Sequence, residues 1–92
     1  MISAIVLIHA DVDQIPEVAA ALVEIDGVSA VYSVAGSVDL IAMVKVREHE
    51  QLADVIADRI GKVPGVTATD THIAFRTYSK EDLGAAFSLG VE

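Results

Sequence analysis

A chain of 92 residues allows one domain and leaves no room for a second, and 53% of it is hydrophobic, above the usual ~45–50% of a globular chain. Six Lys+Arg against fourteen Asp+Glu give a formal charge of −8, the wrong balance for displacing counterions from nucleic acid or for docking on an anionic membrane. No run approaches the ~18 apolar residues of a spanning helix, and the absence of Cys excludes disulfides, thiol catalysis and thiolate metal sites, which fits a soluble cytoplasmic protein.

Ile2, Ile5, Val6, Leu7 and Ile8 form a β-branched run of strand length over residues 2–10. It has no basic segment ahead of it, so it is not a signal peptide. Asp11-Val12-Asp13 breaks the strand. Asp13 is the expected N-cap of a helix, with Pro16 and Glu17 in its first turn. Ile15, Val18, Ala19, Leu22 and Ile25 then follow at spacings of three and four, one apolar helix face that Gly27 ends. Val28 to Ala35 predicts a second strand, Gly36-Ser37 a two-residue hairpin turn, and Val38 to Arg47 the returning strand. A second helix starts near Glu48-His49 and carries Leu52, Val55, Ile56, Ile60 and Val63 on one face. Pro64-Gly65 stops it, and Val66 to Tyr78 predicts a final long strand. Residues 1–78 are thus the expected domain, and 79–92 a tail that adds a short helical turn.

The chain also repeats itself. Ile25-Asp26-Gly27-Val28-Ser29-Ala30 resembles Val63-Pro64-Gly65-Val66-Thr67-Ala68 at an offset of 38 residues. The same offset lays Val6 on Val44, Ile8 on Val46, Val18 on Ile56 and Leu22 on Ile60. Two β-α-β halves follow, in the order β-α-β-β-α-β. Right-handed crossovers fold that order into a ferredoxin-like α+β domain: a four-stranded antiparallel sheet with both helices on one face.

Helices on one face leave the other uncovered. Ile2, Ala4, Val6 and Ile8 of the first strand point one way, and Ile5 and Leu7 the other. In the third strand Leu40, Ala42, Val44 and Val46 oppose Ile41 and Met43. Both faces are apolar, and an exposed sheet of Ile, Leu and Met is an aggregation hazard. A second copy packed sheet to sheet removes it, so a dimer or larger homo-oligomer is expected.

Few residues suggest chemistry. His9, Asp11 and Asp13 have an H-x-D-x-D spacing at a strand end, but hard-cation loops bring more oxygens and a fixed Gly, so no metal is expected. His49 sits between Glu48 and Glu50 as a solvated helix start, and His72 lies in a strand with no identifiable nucleophile beside it. No catalytic residue and no cofactor is expected. The turn Ala35-Gly36-Ser37-Val38-Asp39 is more informative. A Gly-centred turn exposes N–H groups that hold a carboxylate, and a nearby aspartate accepts an ammonium. Those are the two ends of an amino-acid zwitterion.

Val34-Ala35-Gly36-Ser37-Val38-Asp39-Leu40-Ile41 resembles the V-x-G-x-x-D hairpin of the Lrp/AsnC family's effector domain. Pro64-Gly65-Val66 and Thr69-Asp70-Thr71 resemble that family's P-G-V and T-x-T strand, and the order of elements is similar over residues 2–78. The resemblance implies sheet-on-sheet dimers, larger rings up to octamers, and small effectors, commonly amino acids, bound where dimers meet. It implies Gly36, Ser37 and Asp39 as ligand-binding residues, with Thr69, Thr71 and His72 contributed by the last strand. Two departures stand out. Val38 replaces the family's usual aromatic, which bears on pocket shape and ligand identity. The family's N-terminal helix-turn-helix has no counterpart ahead of Met1, so no direct nucleic-acid binding is expected, and full-length regulators become candidate partners. Two other readings share the fold. A small dimeric α/β-barrel enzyme, monooxygenase- or isomerase-like, requires a buried polar group such as His9 or His72. A purely structural oligomerisation module leaves the G-x-x-D hairpin unexplained.

Overall fold

The computed structural model describes residues 1–78 and Lys80. The tail expected at 79–92 otherwise lies outside the described residues. The chain runs through β1 (Ile2–Ala10), a 3-10 turn (Val12–Gln14), α1 (Ile15–Val23), β2 (Val28–Ser33) and β3 (Leu40–Val46). The second helix, α2, begins as His49–Ala53, continues through a π-wound segment Asp54–Arg59 and ends in a 3-10 turn Ile60–Lys62 before β4 (Val66–Ile73). The strands form one four-stranded sheet in the order β2-β3-β1-β4, every pair antiparallel. This is the ferredoxin-like α+β architecture expected from the repeat.

Side-chain alternation decides which residues make the core. Ala4, Val6 and Ile8 of β1 and Leu40, Ala42 and Val44 of β3 are fully buried beneath the helices. Val18 and Leu22 reach them from α1, and Leu52, Val55 and Ile60 from α2. Each large side chain so buried contributes about 1.5–3 kcal/mol. No polar or charged side chain is buried among the described residues.

Several boundaries differ from expectation. Asp13 does not cap α1: the carbonyl of Asp11 accepts the N–H of Gln14, closing a 3-10 turn that moves the cap to Gln14. The first helix ends at Val23, and Ile25 reaches the core from the turn before Gly27. At the start of α2, Gln51 Oε1 accepts the N–H groups of Arg47 at 2.9 Å and Glu48 at 3.0 Å, so a side chain satisfies donors the helix leaves free. The π winding of Asp54–Arg59 has no counterpart in the expected regular helix. The final strand stops at Ile73, not Tyr78, because β1 runs out: Ser3 accepts the N–H of Ala74, and no strand residue of β1 lies beyond Ile2.

The two halves also lock together through matching glycines. Gly27 and Gly65, 38 positions apart, share φ +99°. A Cβ on Gly65 would lie 2.7 Å from Val18 of α1, and one on Gly27 would lie 3.0 Å from Val55 of α2. Each half thus seats its turn against the other half's helix. The repeat is structural as well as textual.

Candidate functional site

The segment between β2 and β3 is a longer loop than the two-residue turn expected at Gly36-Ser37. Pairing breaks off after Ser33–Leu40, and the N–H of Val34 donates to the carbonyl of Asp39 at 3.1 Å. Ala35, Gly36, Ser37 and Val38 therefore form the loop tip. Gly36 has φ +142°, a conformation L side chains rarely adopt, and a Cβ there would meet nothing within 4 Å. The tip is open. Among the described residues no protein acceptor takes the N–H groups of Ala35, Gly36 or Ser37.

Asp39 ties this loop to the sheet. Its N–H donates to the carbonyl of Ile8 at 3.0 Å, and its Oδ2 accepts the N–H of Ala10 at 2.9 Å. The ladder between β1 and β4 shifts register at His9/Ala10, so Asp39 supplies an acceptor where β1 leaves its regular pairing. Only Oδ2 of the carboxylate is engaged among the described residues. Replacing Asp39 with alanine leaves the part-buried N–H of Ala10 unpaired, at a cost of about 1–3 kcal/mol. Thermal denaturation should show a fall of several degrees, and an unchanged melting temperature would remove this tie from the account.

The last strand distributes its candidate residues over two faces. Thr69 stands opposite Ile8 and Thr71 opposite Val6, which puts both on the helix side of the sheet. Thr71 and Ile73 border a mostly apolar groove of ≈ 380 Å³ against α2, completed by His49, Leu52 and Ile56. His72 stands opposite Ile5 on the open face, with Nε2 3.4 Å from Asp70 Oδ2. Both partners of that pair are exposed, so it contributes little in the isolated chain. Gly36, Ser37 and Asp39 sit at the end of β3, on the other side of β1 from β4. One chain therefore does not gather all six residues into one pocket.

The open face carries what sequence alternation placed there. Ile5 and Leu7 pair with Met43 and Ile41, and Tyr32 extends the row from β2. His9 emerges on the same face beside Ala68, exposed, while Asp11 and Asp13 are exposed in the turn that follows. Among the described residues no group of three His, Cys, Asp or Glu is placed to share a metal ion. No helix among them is long and apolar enough to cross a membrane. Asp70 joins His72 on this face, an i+2 spacing that becomes meaningful only once the strand is known.

The sequence pattern of the Lrp/AsnC ligand binding domain matches residues 3–83. The HTH-type transcriptional regulator FL11 of Pyrococcus abyssi is 31% identical over 77 residues, which cover 84% of this chain and 50% of that protein. The chain thus spans half the length of that curated relative. The crystal structure of TTHA0845 from Thermus thermophilus superposes with a TM-score of 0.82 at 39% identity, covering 87% of this chain and all of that one. The feast or famine regulatory protein Rv3291c of M. tuberculosis, solved with L-methionine, gives a TM-score of 0.72 at 33% identity over 87% of this chain and 54% of that one.

Proposed function

The chain belongs to the Lrp/AsnC ligand binding domain family, and from that premise we propose that it binds a small amino-acid effector at the loop built on Gly36, Ser37 and Asp39. The observation that carries the reading is the loop tip: unclaimed N–H groups beside a carboxylate with one oxygen still free. N–H groups in a turn hold an α-carboxylate, and Asp39 Oδ1 accepts the α-ammonium. A methionine complex of a relative 33% identical supports an amino acid as the ligand class.

The site is completed by assembly. Within one chain Thr69, Thr71 and His72 lie across β1 from the loop and are divided between the two faces of the sheet, so a neighbouring copy in an oligomer completes the site. Ile5, Leu7, Ile41 and Met43 on the uncovered face are the surface on which a second copy packs. Similarity to the full span of the Thermus chain and to half of the Pyrococcus regulator supports an effector-binding role, with regulators of the same family as partners in assembly. The barrel-enzyme alternative calls for a buried polar group, whereas His9 and His72 are both exposed.

Calorimetric titration with each of the twenty amino acids tests the reading. At least one should bind saturably, and heat from none of them would sink it. The role of Asp39 is then separated by substitution. Asp39→Asn keeps an oxygen for the Ala10 N–H while removing the charge. It should melt close to the parent yet bind the identified amino acid about ten- to a hundred-fold more weakly. Unchanged affinity in Asp39→Asn would leave the Gly36 and Ser37 backbone as the only anchor.

A further inference from the structure

Gly27 and Gly65 mark equivalent corners of the two halves, and the Gly27 corner gathers three cations. A cleft of ≈ 360 Å³ opens there, lined among others by Asp26, Lys45, Arg47, Gln51, Asp54 and Arg59. Three of the chain's six Lys+Arg thus line one cleft of a protein with net charge −8.

The internal repeat supplies a control. At the 38-residue offset, Lys45, Arg47 and Arg59 fall on Leu7, His9 and Ala21. The first half builds the same β-α-β fold without a Lys or Arg at any of the three positions, so folding does not demand them. Nor does an ion pair hold them where they stand. The single ion pair among the described residues joins His72 and Asp70, so none of the three cations pairs with Asp26 or Asp54. Three cations against two carboxylates leave this concave wall with an excess of positive charge, on a chain that is otherwise strongly acidic.

The winding of α2 serves the same cleft. Asp54 and Arg59 are five residues apart, about 140° around an α-helix, which would turn Arg59 away. The segment Asp54–Arg59 is instead π-wound, and its i→i+5 bonding returns Arg59 to the side of Asp54. Both line the cleft. The backbone carrying Arg47 is held by its N–H bond to Gln51 Oε1 at 2.9 Å.

We propose that this cleft binds the phosphate group of a small metabolite, with Arg47 and Arg59 as bidentate donors and Lys45 as a third positive charge. A guanidinium fork matches phosphate oxygens. A phosphate monoester carries about −1.5 to −2 charges at neutral pH, enough to engage several cations, whereas one carboxylate requires one. Asp26 and Asp54 select among such ligands by accepting a hydroxyl or ammonium hydrogen. The cleft lies at the Val46 end of β3, opposite the Gly36 loop, and is independent of the effector reading.

Pyrophosphate titrated into the isotopically labelled full chain, followed by amide chemical shifts, tests the proposal. The amides of Lys45, Arg47 and Arg59 should shift saturably, and citrate at matched ionic strength should not reproduce the effect. The double substitution Arg47→Gln with Arg59→Gln should weaken pyrophosphate binding about tenfold or more. Its probe-free melting temperature should stay unchanged, because both side chains are exposed. Lys45→Gln, at an exposed strand position, provides a second variant with a smaller loss in the same direction. Shifts that never saturate, equal saturation by citrate, or undiminished binding by the double variant would overturn it.

Discussion

Replacing Gly65 with valine is expected to lower the melting temperature more than any other single substitution at a turn of this fold. Two effects add. The backbone at Gly65 has φ +99°, where a β-branched residue is strained by about 1–3 kcal/mol. The new Cβ would also stand 2.7 Å from Val18 Cγ2, and Val18 is fully buried, so relief requires repacking the core for a further ~1–3 kcal/mol. The sum, about 2–6 kcal/mol, is a large part of the roughly 5–15 kcal/mol that holds a domain together. The turn is also anchored, since the carbonyl of Gly65 accepts the N–H of Asp11 at 2.8 Å and resists being pushed aside. Gly36→Ala is the matched control. Its φ is +142° but nothing lies within 4 Å of its Cβ, so only the backbone part of the penalty applies. Chemical denaturation of both variants separates strain from collision. Equal losses in the two would show that Val18 yields freely and that the interlock of the halves is not rigid.

The second large effect is expected on assembly. Leu7 and Ile41 are directly opposite each other on the uncovered face, with Ile5 and Met43 as the next pair. If two sheets pack there, Leu7→Asp with Ile41→Asp places four carboxylates in the buried centre of a symmetric dimer. Burying unpaired charge costs several kcal/mol per ion, so the dissociation constant should rise at least ~1,000-fold, about 4 kcal/mol. Light scattering should report a dimer or larger for the parent and a 9.7 kDa monomer for the variant. The monomer should keep its circular dichroism spectrum, because neither side chain belongs to the core beneath the helices. A parent that is itself monomeric, or a variant that still assembles, would remove sheet-to-sheet packing from the proposal.

Much of this molecule was legible in its residues. The 3.6-residue spacing of Val18, Leu22 and of Leu52, Val55, the alternation through Ala4, Val6 and Ile8, and the 38-residue echo together specify element order and sheet topology. Such patterns survive in one dimension because burial imposes them locally, one face at a time. Cap and turn positions were less legible. Asp13 has the chemistry of an N-cap, but the N–H of Gln14 bonds the carbonyl of Asp11 instead, and hydrogen-bond competition within three residues leaves no periodic trace. The Gly36 loop came out longer than two residues because Asp39 is drawn to Ile8 and Ala10 on a strand remote in sequence.

Residue type at regular spacing therefore carries the fold, the apolar character of both sheet faces and the family. Only three-dimensional packing settled which side of the sheet each residue of β4 serves, turning Thr69 and Thr71 to the helix side, with Thr71 against α2, and His72 with Asp70 onto the open face. It also settled that Asp39 would fasten β1, and that Lys45, Arg47 and Arg59 would meet in one cleft. The reason is register and winding. A one-residue change of register exchanges the faces of a strand, and a π turn rotates Arg59 relative to Asp54, neither of which alters the hydrophobic pattern from which a sequence is read.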